Sequence, residues 1–156
     1  PPEYMKAKPS INWEQKENGF YFMISHTGFH RINKQFSVSR EFYISENSFE
    51  IQDSVNGFGK HNVRTFFHFA GDIEISDSDI DNSIKINLKN GAGKATFKVS
   101  LAKKDVVKEL ISGRTEPEPI GWCFPKYGHA APIKTMVIET EADFPYKAKY
   151  TMFIGT

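Results

Sequence analysis

Apolar and polar residues alternate with a period of two along most of the chain, the pattern of strands that bury one face and wet the other. The clearest run is 83–89, where Ile84, Ile86 and Leu88 interleave with Lys85, Asn87 and Lys89. Ala95, Phe97, Val99 and Leu101 repeat the pattern against Thr96, Lys98 and Ser100. Between them lies NGAGK, whose Asn90-Gly91 pair tolerates positive φ, so the two runs are predicted to form a hairpin. Segments 35–45 and 48–55 are predicted to form another, turning at Glu46-Asn47. Phe36, Val38, Phe42 and Ile44 share one face of its first strand; Phe49, Ile51 and Val55 share one face of its second.

Further strands are expected at 19–27, 61–70, 72–76, 105–112, 133–140 and 146–155, and no long helix is expected anywhere. Strands of this length and spacing predict an all-β chain, a two-layer antiparallel β-sandwich. Its core should hold Phe36, Val38, Phe49, Ile51, Phe67, Phe69, Ile84, Ile86, Phe97 and Val99. Segment 113–132 breaks the pattern with Pro117, Pro119, Pro125 and Pro132. Proline lacks the ladder donor, so this stretch is not a central strand and reads as a long ordered loop, a kind of segment that carries function or covers a sheet.

Composition adds limits. A chain of 156 residues fits a single domain, and 20 Lys+Arg against 19 Asp+Glu leaves a net charge of +1. No strong field exists to hold nucleic acid or an anionic membrane, so any polyanion must be bound locally. No apolar run approaches a bilayer span, and the N-terminus lacks a basic start followed by an apolar stretch. The single cysteine, Cys123, decides neither compartment nor redox role. The opening PPEYMKAKPS reads as a chain cut from a longer one.

The five histidines, His26, His30, His61, His68 and His129, show no catalytic or metal spacing by themselves. His26 and His30 are four apart, a spacing that joins ligands on a helix, whereas Thr27-Gly28 reads as a turn. His68 alternates with Phe67 and Phe69 and should face away from them, at a surface or between domains. Asp72, Glu74, Asp77, Asp79 and Asp81 begin like a calcium loop, but the glycine and closing acid are missing, which favours a solvated turn. No nucleophile elbow, phosphate loop or dinucleotide fingerprint occurs. The loop is more suggestive: Trp122, Phe124 and Tyr127 lie beside Lys126 and His129, with Arg114 upstream. An aromatic face stacks on sugar C–H groups while a cation meets a carboxylate, so the set suits an acidic sugar; equally, Trp122 can plug the end of the sandwich.

Several segments together resemble the C-terminal domain of heparinase II/III-like proteins: HTGFHRI, SREFYIS with FEIQDSVNG, FFHFAGDIEI, and above all GWCFPKYGHAAPIKTMVIE. The family's turn, arginine-bearing strand, D-x-[VL]-x-G turn, [FW]-H-[FL] strand and G-W-x-S-x-x-Y-G closing segment fall on 26–29, Arg40, 53–57, 67–69 and 121–128. Order and spacing match from about residue 13 onward. Phe124 stands where the family often has serine.

The resemblance implies an antiparallel sandwich that follows an α/α toroid and meets it to form a cleft for uronate-containing polysaccharide. Such lyases cleave by β-elimination: a base removes the proton α to the uronate carboxylate and an acid protonates the leaving oxygen. In the family the catalytic Asn, His and Tyr lie largely on the toroid, and a zinc-binding His/Asp/His set lies early in the β region. His61-Asn62-Val63 is similar to part of that set but follows the D-x-V-x-G turn, so its order is wrong. No catalytic residue, metal ligand or cofactor carries over to this chain. Substrate contact is expected at Trp122, Tyr127, Lys126, His129, Arg114 and His26. The expected partners are acidic polysaccharide and the N-terminal toroid of the same protein, with no nucleic acid and no membrane span. A degradative parent would favour the periplasm or cell exterior. The alternative is a non-catalytic domain, glycan-binding or structural, in a protein associated with polysaccharide biosynthesis.

Overall fold

The computed structural model describes residues 9–71, 73–78, 83–88, 93–101 and 107–155. Thirteen strands occur among them: β1 (Ser10–Lys16), β2 (Gly19–His26), β3 (Ser37–Ile44), β4 (Ser48–Asn56), β5 (Lys60–His68), β6 (Ile73–Ser78), β7 (Ser83–Leu88), β8 (Lys94–Leu101), β9 (Val107–Ser112), β10 (Trp122–Lys126), β11 (His129–Pro132), β12 (Lys134–Asp143) and β13 (Tyr146–Ile154). Helical structure among the described residues is limited to one 3-10 turn, Gly28–Arg31.

Eight strands make one antiparallel sheet in the order β1-β2-β3-β4-β13-β8-β7-β6, three make a second in the order β5-β12-β9, and β10 pairs only with β11. The predicted hairpins are present: Phe42 lies opposite Ile51 in β3-β4, and Ile84 opposite Phe97 in β7-β8. Alternation then decides which side is dry. On β12, Met136 and Ile138 are buried against Ile51, Ile84, Phe97 and Tyr150 of the large sheet. Phe67 of β5 meets Phe97 and Tyr150 edge-on at 4.9 and 4.8 Å, and the Tyr150 hydroxyl donates to Thr65 Oγ1 at 3.2 Å. These contacts make the two sheets a sandwich, as the alternation predicted.

Of the expected core, Ile51, Ile84, Ile86, Phe97 and Val99 are buried, and Phe49, Phe67 and Phe69 pack against them. Phe36 and Val38 are corrections. They line an open cleft, because the three-stranded sheet is narrower than its partner and ends at β5. The same mismatch leaves the inner face of β1 and β2 bare: Ile11, Trp13 and Phe20 are 55%, 71% and 50% exposed. Ile11 lies opposite Ile24 and Trp13 opposite Phe22, so they continue the apolar face of the sheet past its cover.

Three strands went unforeseen: β1, whose only neighbour is β2, and the β10-β11 pair inside the proline-rich stretch. The latter belongs to neither large sheet, in keeping with the lack of ladder donors. The turn of the 83–101 hairpin, the start of the strand expected at 105–112, Asp72, Asp79, Asp81 and the Asp77 side chain lie outside the described residues. No helix among the described residues is long and apolar enough to cross a membrane.

Candidate functional site

Gly121 sets the geometry of the proline-rich segment. Its φ is +78°, and an added Cβ would sit 2.9 Å from Gly113 N, Ile133 O and Ser112 Cα, so no side chain fits. Its carbonyl accepts from the Gly113 and Ile133 amides at 3.0 and 2.9 Å, drawing both ends of the segment together. Gly128, at φ +73°, turns β10 into β11.

Between these turns the side chains divide. Trp122 is half-buried and its indole N–H donates to the Arg114 carbonyl at 2.8 Å, so the ring is fixed against the segment. Phe124, Lys126, Tyr127 and His129 are exposed, with Lys126 directly opposite His129. Arg114 carries the carbonyl that holds the indole, but its guanidinium is engaged with carboxylates: Glu109 at 3.3 Å and Glu118 at 3.8 Å. Glu118 also pairs with Arg64, and Arg64 with Glu139 at 3.5 Å. The hydrogen bond from Arg64 holds the Glu118 carboxyl below its ordinary value. Arg114 is thus a strut in an ion network, whereas Lys126, Tyr127 and His129 are exposed and form no ion pair among the described residues.

His26 is elsewhere. It ends β2, accepts the Gly28 amide on Nδ1 at 3.2 Å and lies 5.8 Å from the Phe29 ring. That bond leaves its Nε2 as the proton-bearing nitrogen of the neutral ring. His26 lines a cleft of about 720 Å³ between β2, β3 and β4 on one side and β5 on the other, together with Phe36, Val38, Arg40, Asp53 and His61. No residue of segment 113–132 lines it. The structure therefore brings five of the six expected contact residues into one region and places the sixth in a different one.

Inside the cleft the Arg40 guanidinium grips Asp53 and lies 5.6 Å over the Phe67 ring. The hydrogen bonds to Asp53 hold Arg40 above its ordinary value, outweighing burial. His61 donates from Nε2 to the Phe58 carbonyl at 2.9 Å, since a carbonyl only accepts, and its ring lies 4.6 Å from Phe144 and 5.5 Å from Phe36. Sequence reasoning missed this cleft as a site. Its signal was present in the Arg40 and 53–57 motif positions, but nothing in the spacing of Phe36, His61 and Phe144 brings them together. His68 faces away from the core, as expected, with Nδ1 at 2.9 Å from Thr135 Oγ1. Among the described residues no three His, Cys, Asp or Glu side chains gather as a metal site would require.

The family described as Heparinase II/III-like, C-terminal, matches residues 2–151. Among solved structures, heparan sulfate lyase HepC from Pedobacter heparinus is similar to 95% of the chain at a TM-score of 0.73 and 11% identity. A heparinase III is similar over 94% at 0.70 and 16%, and another over 95% at 0.69 and 12%. The chain spans 21% of each of these proteins. No curated protein matches in sequence.

Proposed function

Because this chain belongs to the heparinase II/III-like, C-terminal family, we propose that it is the sandwich layer of a longer polysaccharide lyase, completing a cleft for uronate-containing polysaccharide whose catalytic groups lie on the rest of the protein. The observation that carries this reading is the bare inner face of β1 and β2. Ile11, Trp13 and Phe20 extend a core face that has no cover among the described residues, and a contiguous apolar surface of this kind marks a docking face. In this reading the toroid covers that face, and the Lys126, Tyr127 and His129 hairpin turns toward the sugar.

The chain's own role is to shape and hold. Elimination needs a base, an acid and a neutralised carboxylate within reach of one uronate. The exposed set at the hairpin supplies a cation and a stacking ring and leaves the base and acid to the partner domain. The test compares the chain alone with the same sequence inside its full-length polypeptide, on heparan sulfate, hyaluronan and alginate, following unsaturated uronate by absorbance. The chain alone should give no product and the longer protein should. Trp13→Asp in the longer protein should abolish product while leaving the isolated chain folded. Turnover by the chain alone, or full activity with Trp13→Asp, would overturn the reading.

A second reading, glycan binding without cleavage, draws on the complete exposure of Tyr127 beside Lys126 and His129. It is distinguished by oligosaccharide binding to the chain alone, lost in Tyr127→Ala.

A further inference from the structure

The outward face of the eight-stranded sheet carries a separate set of cations. Lys147 and Lys149 on β13, Lys94 and Lys98 on β8, and Lys85 on β7 are all exposed. They alternate with the buried Ala148, Tyr150, Phe97, Ile84 and Ile86, which fixes them on the side away from the core.

Register places each lysine in its own cross-strand row. Lys98 lies between Thr151 of β13 and Ser83 of β7. In the next row one way, Lys149 lies opposite Ser100; Lys147 takes the outward position beyond it. In the next row the other way, Lys85 lies opposite Thr96, which lies opposite Phe153. The row after that pairs Lys94 with Asn87. Five successive outward rows therefore hold one lysine each. Rows are two residues apart, about 6.7 Å, so the track runs about 27 Å along the strands.

Solubility alone does not explain this placement. Lysines guard exposed sheet edges, but β13, β8 and β7 are interior strands. Like charges at diagonal positions about 7 to 8 Å apart repel. Among the described residues only Lys149 of the five forms an ion pair, with Glu50 at 2.6 Å. On these three strands the residues between the lysines are Thr151, Thr96 and Asn87, which donate and accept hydrogen bonds without charge, while carboxylates border the track on the flanking strands, Glu50 of β4 opposite Thr151 and Glu74 of β6 opposite Asn87.

We propose that this lysine row is a binding track for a linear polyanion, and that the polyanion is an acidic polysaccharide. Regularly spaced ammonium groups match a chain with regularly spaced carboxylates or sulfates, and the interleaved hydroxyl and amide groups match sugar hydroxyls. A single-stranded nucleic acid would call for a series of stacking rings, whereas the outward face of these three strands offers only Phe153 among the described residues. The track lies apart from the 113–132 hairpin and does not depend on the lyase reading.

The test is titration of the chain with a size-defined heparan sulfate octasaccharide at several salt concentrations, beside a neutral glucan octasaccharide and a single-stranded DNA of similar charge. The variants are Lys85→Gln with Lys98→Gln on the track, Lys126→Gln on the hairpin, and Lys60→Gln as a distant control. Thermal unfolding checks that each remains folded. The track predicts at least tenfold weaker binding for the double variant, a salt slope shallower by about two, and near wild-type binding for Lys60→Gln. Equal losses for all variants would reduce the effect to general attraction and overturn the proposal. Loss confined to Lys126→Gln would overturn it in favour of the hairpin. DNA bound as tightly as the octasaccharide would overturn the choice of polysaccharide.

Discussion

Arg40 of β3 and Asp53 of β4 sit directly opposite each other, and their side chains close a bidentate pair, Nε to Oδ1 at 2.6 Å and Nη2 to Oδ2 at 2.7 Å. The pair stands where the apolar inner face gives way to the open cleft, with Phe67 beneath the guanidinium. Its planar fork suits a carboxylate held from one side, a fit that lysine cannot reproduce.

Removing one partner should therefore cost more than removing both. Asp53→Asn is expected to destabilise by about 2 to 4 kcal/mol, under the range for a fully buried pair because Arg40 is 34% exposed. Arg40→Met with Asp53→Leu should lie closer to wild type than Asp53→Asn. Urea unfolding of the three proteins decides; equal losses in all would show that the pair contributes little beyond packing.

The Trp122 indole should report a fixed, half-dry site. With Trp13→Phe removing the exposed indole, the remaining emission is expected to be moderately blue-shifted and unmoved by acidic oligosaccharides. Trp122→Phe should cost about 1 kcal/mol through the lost bond to the Arg114 carbonyl. Trp122→Ala should cost about 2 to 4 kcal/mol, below a fully buried tryptophan. Red-shifted emission quenched by sugar would instead make Trp122 a binding platform.

Gly121→Ala should be disproportionately harmful for a single methyl group. The backbone is at φ +78° and the methyl would meet three main-chain atoms at 2.9 Å. A loss of about 2 kcal/mol or more is expected. Gly128→Ala, also at positive φ but with nothing within 4 Å, should cost less. Thermal unfolding of both variants makes the comparison, and equal losses would show that φ alone matters.

Alkaline titration should find Tyr43 late. Partial burial and its hydrogen bond to Glu41, at 3.0 Å, push its hydroxyl up to about 12. A raised folded value means that the folded state holds this proton more tightly. The corresponding stability is complete below about pH 10 and is lost as pH rises toward about 12. Phenolate absorbance should show several late-ionising tyrosines, since Tyr21, Tyr146 and Tyr150 are raised as well, and Tyr43→Phe should remove one of them, whereas an unchanged late phase in Tyr43→Phe would show that Tyr43 ionises normally.

The period-two pattern was enough for the strands and for most of the core, because a strand with one dry face writes its orientation into alternate residues. Ile84, Ile86, Phe97 and Val99 were legible from that rule alone. The same rule placed the outward lysines, one strand at a time.

What pairs with what was settled only by tertiary structure. Alternation says which face is apolar but not how wide the opposing sheet is, so Phe36 and Val38 look like core residues although they line an open cleft at the edge of the smaller sheet. Arg40 and Asp53 are thirteen residues apart and become partners only through the β3-β4 register. His26 joins the cleft rather than the Trp122 hairpin because β2 lies in the large sheet while β10 pairs only with β11. Local sequence fixes the direction of a side chain; the register and extent of the sheets, which depend on distant strands, decide what that side chain meets.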